Sequence, residues 1–137
     1  MSEYCTEAIV LGRRENGSQN LYADLYTKEL GRVEARAISG RKITSRLSPH
    51  LDAGTLSFVR LVYKNQFTLV DAICEERFFT RLSEDDNFFE ALRLCRELIP
   101  HQVPDRELWD FLQLHLRTEA RDCTILLNVL GYGGEYP

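Results

Sequence analysis

The sequence contains no apolar run long enough to cross a bilayer, which takes about 20 residues. Its first residues, MSEYCTEA, also lack the basic and apolar regions of a secretory signal peptide. The apolar share of 44% and the charged share of 28% are ordinary for a globular protein and do not favour disorder. We therefore expect a cytoplasmic protein. Its 137 residues are enough for one compact domain, or for a small domain with a helical appendage.

The four cysteines lack the spacing of a metal or redox motif. Cys5, Cys74, Cys95 and Cys123 form no CxxC pair, so neither a zinc ribbon nor a thioredoxin-like site is indicated. The last three lie within apolar-periodic segments, which predicts that they behave as small buried apolar residues. A disulfide framework is not expected in a cytosolic chain of this size.

Catalytic motifs are absent as well. The chain has no Walker phosphate loop, no GxGxxG and no nucleophile elbow. His50, His101 and His115 are too scattered for a metal site, and His115 lies on an apolar helical stripe, where a structural role is expected. The acids at positions 84–86 follow Ser83, a good helix N-cap, so the helix dipole explains them without a metal. We predict that the protein is not an enzyme and needs no cofactor or metal.

The first 77 residues contain a series of short strands. Apolar runs and alternating residues, separated by turn signals, predict strands at 6–14, 21–26, 32–38, 55–63 and 66–74. Five such strands favour a closed or nearly closed β-barrel, since closure removes exposed edges. The fourth strand is apolar on both faces. Because Phe58 and Val62 face away from Val59 and Leu61, helices are predicted to cover this strand from outside the barrel.

The hydrophobic period changes to that of a helix at Ser83. Apolar residues predict one helix from there to Pro100 and a second helical segment from Pro104 to Gly131, and the polar residues at 117–121 allow a break in it. We therefore predict an α+β protein. Residues 1–80 would form the β-barrel domain, and residues 81–137 a helical region packed on the barrel.

A basic stretch at residues 31–50 differs from the rest of this acidic chain. Residues 32–50 hold five basic side chains and one acid, whereas the whole chain has a net charge of −4. Such a surface attracts polyanions through a local field. The alternative is a solvated loop whose charges balance acids elsewhere. Arg41, Lys42 and Arg46 favour the first interpretation, because a loop between a glycine and a proline has little structural use for three long cations.

Two tyrosines are predicted to lie beside arginines of this stretch. If the second and third strands pair through the turn at 27–31, alternation places Tyr22 and Tyr26 on the same outer face as Arg32 and Arg36. Cations that follow phosphates and aromatic faces that stack on bases are what binding of single-stranded nucleic acid needs. The alternative is that the tyrosines only cover the sheet and make cation–π contacts to the arginines.

Three stretches together resemble the RecO family of DNA repair proteins. They are EAIVLGRRENGSQNLYADLYTKELGRVEARAISGRK, then SRLSPHL, and ILLNVLGY near the end. The resemblance covers nearly the whole chain in the right order. It implies a five-stranded OB-fold followed by a small helical region, in a recombination mediator that binds single- and double-stranded DNA and anneals complementary strands. Such a protein works with RecR and the single-strand-binding protein SSB to load the RecA recombinase, and associates with the nucleoid.

By position, the resemblance implies DNA contacts at seven basic residues: Arg13, Arg14, Arg32, Arg36, Arg41, Lys42 and Arg46. Tyr22 and Tyr26 are the candidates for base stacking. The chain is much shorter than a typical member and stops where many relatives continue into a cysteine-containing zinc element, so the resemblance does not carry a zinc site over to this sequence. Two other interpretations remain open, an OB module that binds an acidic peptide tail of another protein and an OB module that binds RNA.

Overall fold

The computed structural model describes residues 1–16, 20–37, 46–78, 86–117 and 123–131. Its first part consists of five strands: β1 (Ser2–Asn16), β2 (Asn20–Thr27), β3 (Gly31–Ala37), β4 (Thr55–Lys64) and β5 (Gln66–Arg77). They close into a barrel in the order β1-β2-β3-β5-β4, in which β3 and β5 are parallel and the other neighbours antiparallel. The predicted five-stranded barrel is confirmed.

Three α-helices follow the barrel in the described residues: α1 (Asp86–Leu98), α2 (Arg106–Arg117) and α3 (Cys123–Val129). A short 3-10 helix at Ser48–His50 lies between β3 and β4. The predicted α+β class is therefore confirmed, and the arrangement is that of an OB-fold with a helical region. Ser83, the expected N-cap, lies outside the described residues. Within the described part of the chain, no helix has the length and apolar character needed to cross a membrane.

Two turns depend on residues that tolerate a positive φ. Asn65 joins β4 to β5 with a φ of 70°, as its position in the sequence predicts. Gly31 begins β3 with a φ of 73°, and a Cβ atom there would lie 2.6 Å from the backbone carbonyl carbon of Val103. Glycine at this position therefore lets the β2–β3 turn pack directly against the segment between α1 and α2.

The apolar residues form two cores. One fills the barrel and includes Val10, Leu21 and Leu61, all fully buried. The other lies between the outer face of β1 and the helices, and includes Leu11 of the barrel and Trp109 of α2. Because alternate residues of β1 face opposite sides, this one strand contributes to both cores, which holds the helices on the barrel.

Polar contacts reinforce the junction between barrel and helices. Arg96 of α1 donates a hydrogen bond to the Leu11 carbonyl of β1 at 2.5 Å. The Tyr26 hydroxyl of β2 donates one to the Asp105 carbonyl, just before α2, at 3.2 Å. These bonds satisfy backbone carbonyls and fix the position of the helices over the outer faces of β1 and β2.

The helices cover less of β4 than the sequence predicts. Leu56 is buried beneath them, but Phe58, two residues further on the same face, is 45% exposed. Its cross-strand neighbour on β5, Ile73, is exposed as well. The prediction that helices cover the whole strand is therefore wrong, because the helical core reaches only the end of β4 that holds Leu56.

The four cysteines form no disulfide with one another and do not share one environment. Cys95 is buried in α1, as predicted, and burial raises the pKa of its thiol to about 12. Cys74 and Cys123 are only partly buried, and Cys5 is exposed. The raised pKa of Cys95 keeps this thiol protonated and unreactive.

Candidate nucleic-acid interface

A row of three residues crosses the outer face of β1, β2 and β3. The strand register pairs Tyr22 with Arg14 on one side and with Arg36 on the other. On β5, Thr68 continues the row beyond Arg36. The register therefore places a tyrosine between two arginines, as the alternation in the sequence predicts for Tyr22 and Arg36.

Arg14 is the most accessible of these side chains. It is 66% exposed, and its guanidinium carbon lies 4.5 Å from the centre of the Tyr22 ring. Arg14 also forms an ion pair of 2.9 Å with Glu34. An exposed pair of this kind contributes only about 0–1 kcal/mol, so a phosphate can replace the carboxylate as the partner of Arg14 at little cost.

Arg36 lies deeper in the same row. Its side chain is half-buried, and its Nε atom is buried without a hydrogen-bond acceptor among the residues that the structure describes. A buried N–H group of a cation that lacks an acceptor is destabilising. Because this N–H group is buried, an anion at the row reaches it only after the Arg36 side chain moves toward solvent.

Two other predicted contacts, Arg13 of β1 and Arg46, bind or belong to the chain segment at residues 46–52. Arg13 donates hydrogen bonds of 2.8 Å to the carbonyl and the hydroxyl of Ser48, and its guanidinium lies 3.7 Å from Asp52. Arg46 pairs with Asp71 of β5 at 3.1 Å and is exposed. Both arginines hold the segment that returns to β4, and both remain accessible to solvent in part.

Arg32 has a different role from the one that the sequence predicts. Its side chain is only 14% exposed, and it binds both carboxylate oxygens of Asp24, at 3.1 and 3.2 Å. A third hydrogen bond of 2.8 Å reaches the Ile99 carbonyl just after α1. The guanidinium is thus used to join the barrel to the helices. We do not include Arg32 in the proposed interface.

The prediction of base stacking by Tyr26 is wrong. Tyr26 shares the face of Tyr22, but the helices cover its end of the sheet, and the residue is fully buried with its ring centre 5.9 Å from that of Trp109. Burial, with a smaller effect of the nearby Asp105 carboxylate, raises the pKa of its hydroxyl above the ordinary range for tyrosine. Tyr26 therefore offers no ring face to a ligand. Arg41 and Lys42, two further predicted contacts, lie outside the described residues.

A cleft of about 480 Å³ opens beside the row, between the outer face of β1–β3 and helix α1. We call it the β1–β3 cleft, and its lining residues are Gly12, Arg13, Arg14, Tyr22, Asp24, Glu34, Ala53 and Arg96. Three of the predicted residues, Arg13, Arg14 and Tyr22, thus meet at one place. Gly12 leaves room for Arg96, since a Cβ at position 12 would lie 3.1 Å from an Arg96 guanidinium nitrogen.

Arg96, Asp24 and Glu34 also line this site, although none of them is among the residues predicted from the sequence. Arg96 is 82 residues away from Arg14 along the chain, and no sequence signal connects them. Asp24 is two residues from Tyr22, and Glu34 is two residues from both Arg32 and Arg36. Because residues two apart in a strand share a face, the sequence could have placed both carboxylates on this face.

A metal centre is not indicated by the described residues, in which no three histidine, cysteine, aspartate or glutamate side chains cluster. His115 is buried and its ring stacks on that of Phe111, with centres 5.3 Å apart. The structural role expected for His115 agrees with this packing. The chemistry that the cleft does offer is guanidinium groups, one tyrosine ring and two carboxylates.

Comparison with known proteins extends these observations. The family model described as "Recombination protein O N terminal" matches residues 1–73, which contain the whole of the β1–β3 face. "DNA repair protein RecO" of Cutibacterium acnes is 28% identical over 109 residues, covering 78% of this chain and 44% of that protein. The protein of the same name from Syntrophobacter fumaroxidans is 28% identical over 123 residues, covering 85% of this chain and 48% of that protein.

The chain thus spans about half the length of the curated relatives that it matches. The family model, in contrast, covers more than half of this chain and all of β1 to β4. On that match, and in agreement with the resemblance found in the sequence, the chain belongs to the RecO family, of which it contains the N-terminal domain.

Proposed function

We propose that this protein acts in DNA repair and recombination by binding DNA, single-stranded and double-stranded, on the outer face of β1–β3. The observation that carries the proposal is the Arg14–Tyr22–Arg36 row beside the β1–β3 cleft. Single-stranded nucleic acid needs cations spaced along a surface and an aromatic ring between them, and this row provides both.

The two arginines have reasons to take a phosphate. Arg14 is exposed and gives up only a weak surface pair with Glu34, and the half-buried Arg36 adds a second guanidinium group to the row. The relatives are named as DNA repair proteins, and the family match includes this face. Annealing of complementary strands and loading of a recombinase are the finer activities that we propose by family membership. RecR, SSB and RecA are the proposed protein partners, with the nucleoid as the site of action.

Fluorescence anisotropy with a labelled single-stranded oligonucleotide tests the binding. We expect the double variant Arg14→Gln and Arg36→Gln to bind at least tenfold more weakly than the unchanged protein, because each lost phosphate contact removes electrostatic free energy. The matched control is Arg60→Gln with Arg106→Gln, which removes two exposed cations that pair with acids away from the cleft. Equal losses in the two double variants would show that net charge, and not this face, governs binding.

The same cations would also suit an acidic peptide tail of a protein partner. Competition separates the two interpretations, because a peptide rich in aspartate that displaces the oligonucleotide must occupy the same arginines. An oligonucleotide that binds only weakly, and a peptide that binds tightly to the same row, would favour the protein-interaction module over the DNA-binding one.

A further inference from the structure

Two carboxylates, Asp24 and Glu34, lie among the guanidinium groups of the β1–β3 cleft. Asp24 and Glu34 are direct cross-strand partners of the β2–β3 pair. Like charges directly opposite each other destabilise a sheet. They would also repel a DNA backbone that ran along the floor of the cleft. Arg32 balances the charge of Asp24 and Arg14 that of Glu34, so a phosphate that takes Arg14 leaves Glu34 available to another donor.

The two carboxylates differ in their hydrogen bonds. Both oxygens of Asp24 accept hydrogen bonds from Arg32, at 3.1 and 3.2 Å, and the group is largely buried. Glu34 is half exposed, and only its Oε1 accepts a hydrogen bond, from Arg14 at 2.9 Å. Its Oε2 accepts none from the part of the chain that the structure describes. Glu34 is therefore the carboxylate that can receive a donor from a ligand.

We propose that the cleft takes one nucleobase of a bound strand, and that Glu34 selects bases with N–H donors on the Watson–Crick edge. Guanine is favoured first, cytosine second, and thymine is disfavoured. Guanine presents two adjacent N–H donors to the two oxygens of a carboxylate, and cytosine presents an amino group. Thymine has a single N–H between two carbonyl oxygens, which the carboxylate repels. This inference rests on the proposed function and adds base selection to it.

The residues around Glu34 can accommodate a base inside the cleft while the phosphates of the strand stay outside the cleft. The Arg14 guanidinium lies 4.5 Å above the Tyr22 ring, and its outer side is a planar surface on which a base can stack. The volume of about 480 Å³ falls within the range of small-molecule sites. Arg13 and Arg96 line the same cleft and can balance the charge of the flanking phosphates. A base edge can thus approach Glu34 while the backbone stays near guanidinium groups.

The test uses three labelled nine-nucleotide strands of thymidine that differ only in the central base, which is guanine, cytosine or thymine. We expect the guanine strand to bind about five- to tenfold more tightly than the thymine strand. This factor is at the low end of the discrimination that a bidentate contact gives, because the cleft is open to solvent. The cytosine strand should bind with intermediate affinity. Glu34→Gln and Glu34→Thr should reduce the guanine-to-thymine ratio to less than about twofold, since both lack the carboxylate. Glu3→Gln, which removes an exposed carboxylate of β1 that pairs with Arg60, should leave the ratio unchanged.

The outcomes distinguish this inference from the proposed function. Equal affinity of the unchanged protein for all three strands would overturn base selection and leave DNA binding intact. A ratio that persists in both Glu34 variants would overturn the role of Glu34. Failure to bind any of the strands would reject the proposed function itself.

Discussion

Replacement of Arg32 tests whether this arginine joins the barrel to the helices. Its guanidinium binds both oxygens of Asp24 and the Ile99 carbonyl, and the two side chains of the pair are 14% and 16% exposed. Arg32→Ala leaves a largely buried carboxylate without its cation. Breaking a fully buried ion pair costs about 3–5 kcal/mol. Because Asp24 keeps some contact with water, we expect the loss for the Arg32–Asp24 pair to be at the low end, about 3 kcal/mol. Loss of the bond to Ile99 adds about 1 kcal/mol.

Urea denaturation followed by circular dichroism measures this loss of the free energy of unfolding. Most of the lost stability comes from leaving the Asp24 carboxylate unpaired. Adding Asp24→Ala to Arg32→Ala should therefore recover about half of that loss. The double-mutant cycle of the two substitutions gives the interaction energy of the pair. The comparison is Arg60→Ala, whose pair with Glu3 is exposed on both sides and should contribute less than about 1 kcal/mol. If Arg32→Ala destabilises the protein no more than Arg60→Ala does, Arg32 does not join the barrel to the helices.

Three further predictions concern the turn, the buried hydroxyl and a surface ion pair. Gly31→Ala should lower the free energy of unfolding by at least about 2 kcal/mol in a urea titration. Residue 31 has a positive φ, and a Cβ atom there would clash with the backbone of Val103. An unchanged urea midpoint would contradict this prediction. Tyr26→Phe should cost about 1 kcal/mol in the same assay, through one lost hydrogen bond, and leave the affinity for single-stranded DNA unchanged; weakened binding would restore a contact role. Hydrogen bonds from Arg117 lower the pKa of Glu76 in the folded protein. The pair should therefore stabilise the fold at any pH above the ordinary pKa of glutamate. This stabilisation is lost as the pH falls through the lowered pKa of Glu76. Stability measured from pH 6 to pH 3 should therefore fall less steeply in Arg117→Gln, and an equal slope would count against the pair.

The sequence was sufficient to predict the barrel because each strand carries its own signal. Alternation in β2 and β3 depends only on neighbouring residues, and it predicted correctly that Tyr22 and Arg36 share a face. The turn at Asn65 was predictable for the same reason, since the need for a positive φ is local. Predictions of this kind need no knowledge of what packs on the sheet.

The errors concern what covers the sheet. Tyr26 and Tyr22 have the same strand pattern, yet one is buried and the other is accessible, because the helices lie over only one end of the face. The exposure of Phe58 was not predictable for the same reason, because it depends on how far the helical core extends along β4. The approach of Arg96 to the cleft depends on how α1 docks, and amphipathic periodicity does not specify that position.

The salt dependence of single-stranded DNA binding tests most directly whether the β1–β3 face binds a phosphate chain. With about four phosphate contacts, the logarithm of the association constant should fall against the logarithm of salt concentration with a slope of about −3. Removing Arg14 and Arg36 should reduce the slope to about −1.5, whereas the Arg60 and Arg106 control should keep it near −3. A flat salt response, or the same slope in all three proteins, would contradict the account.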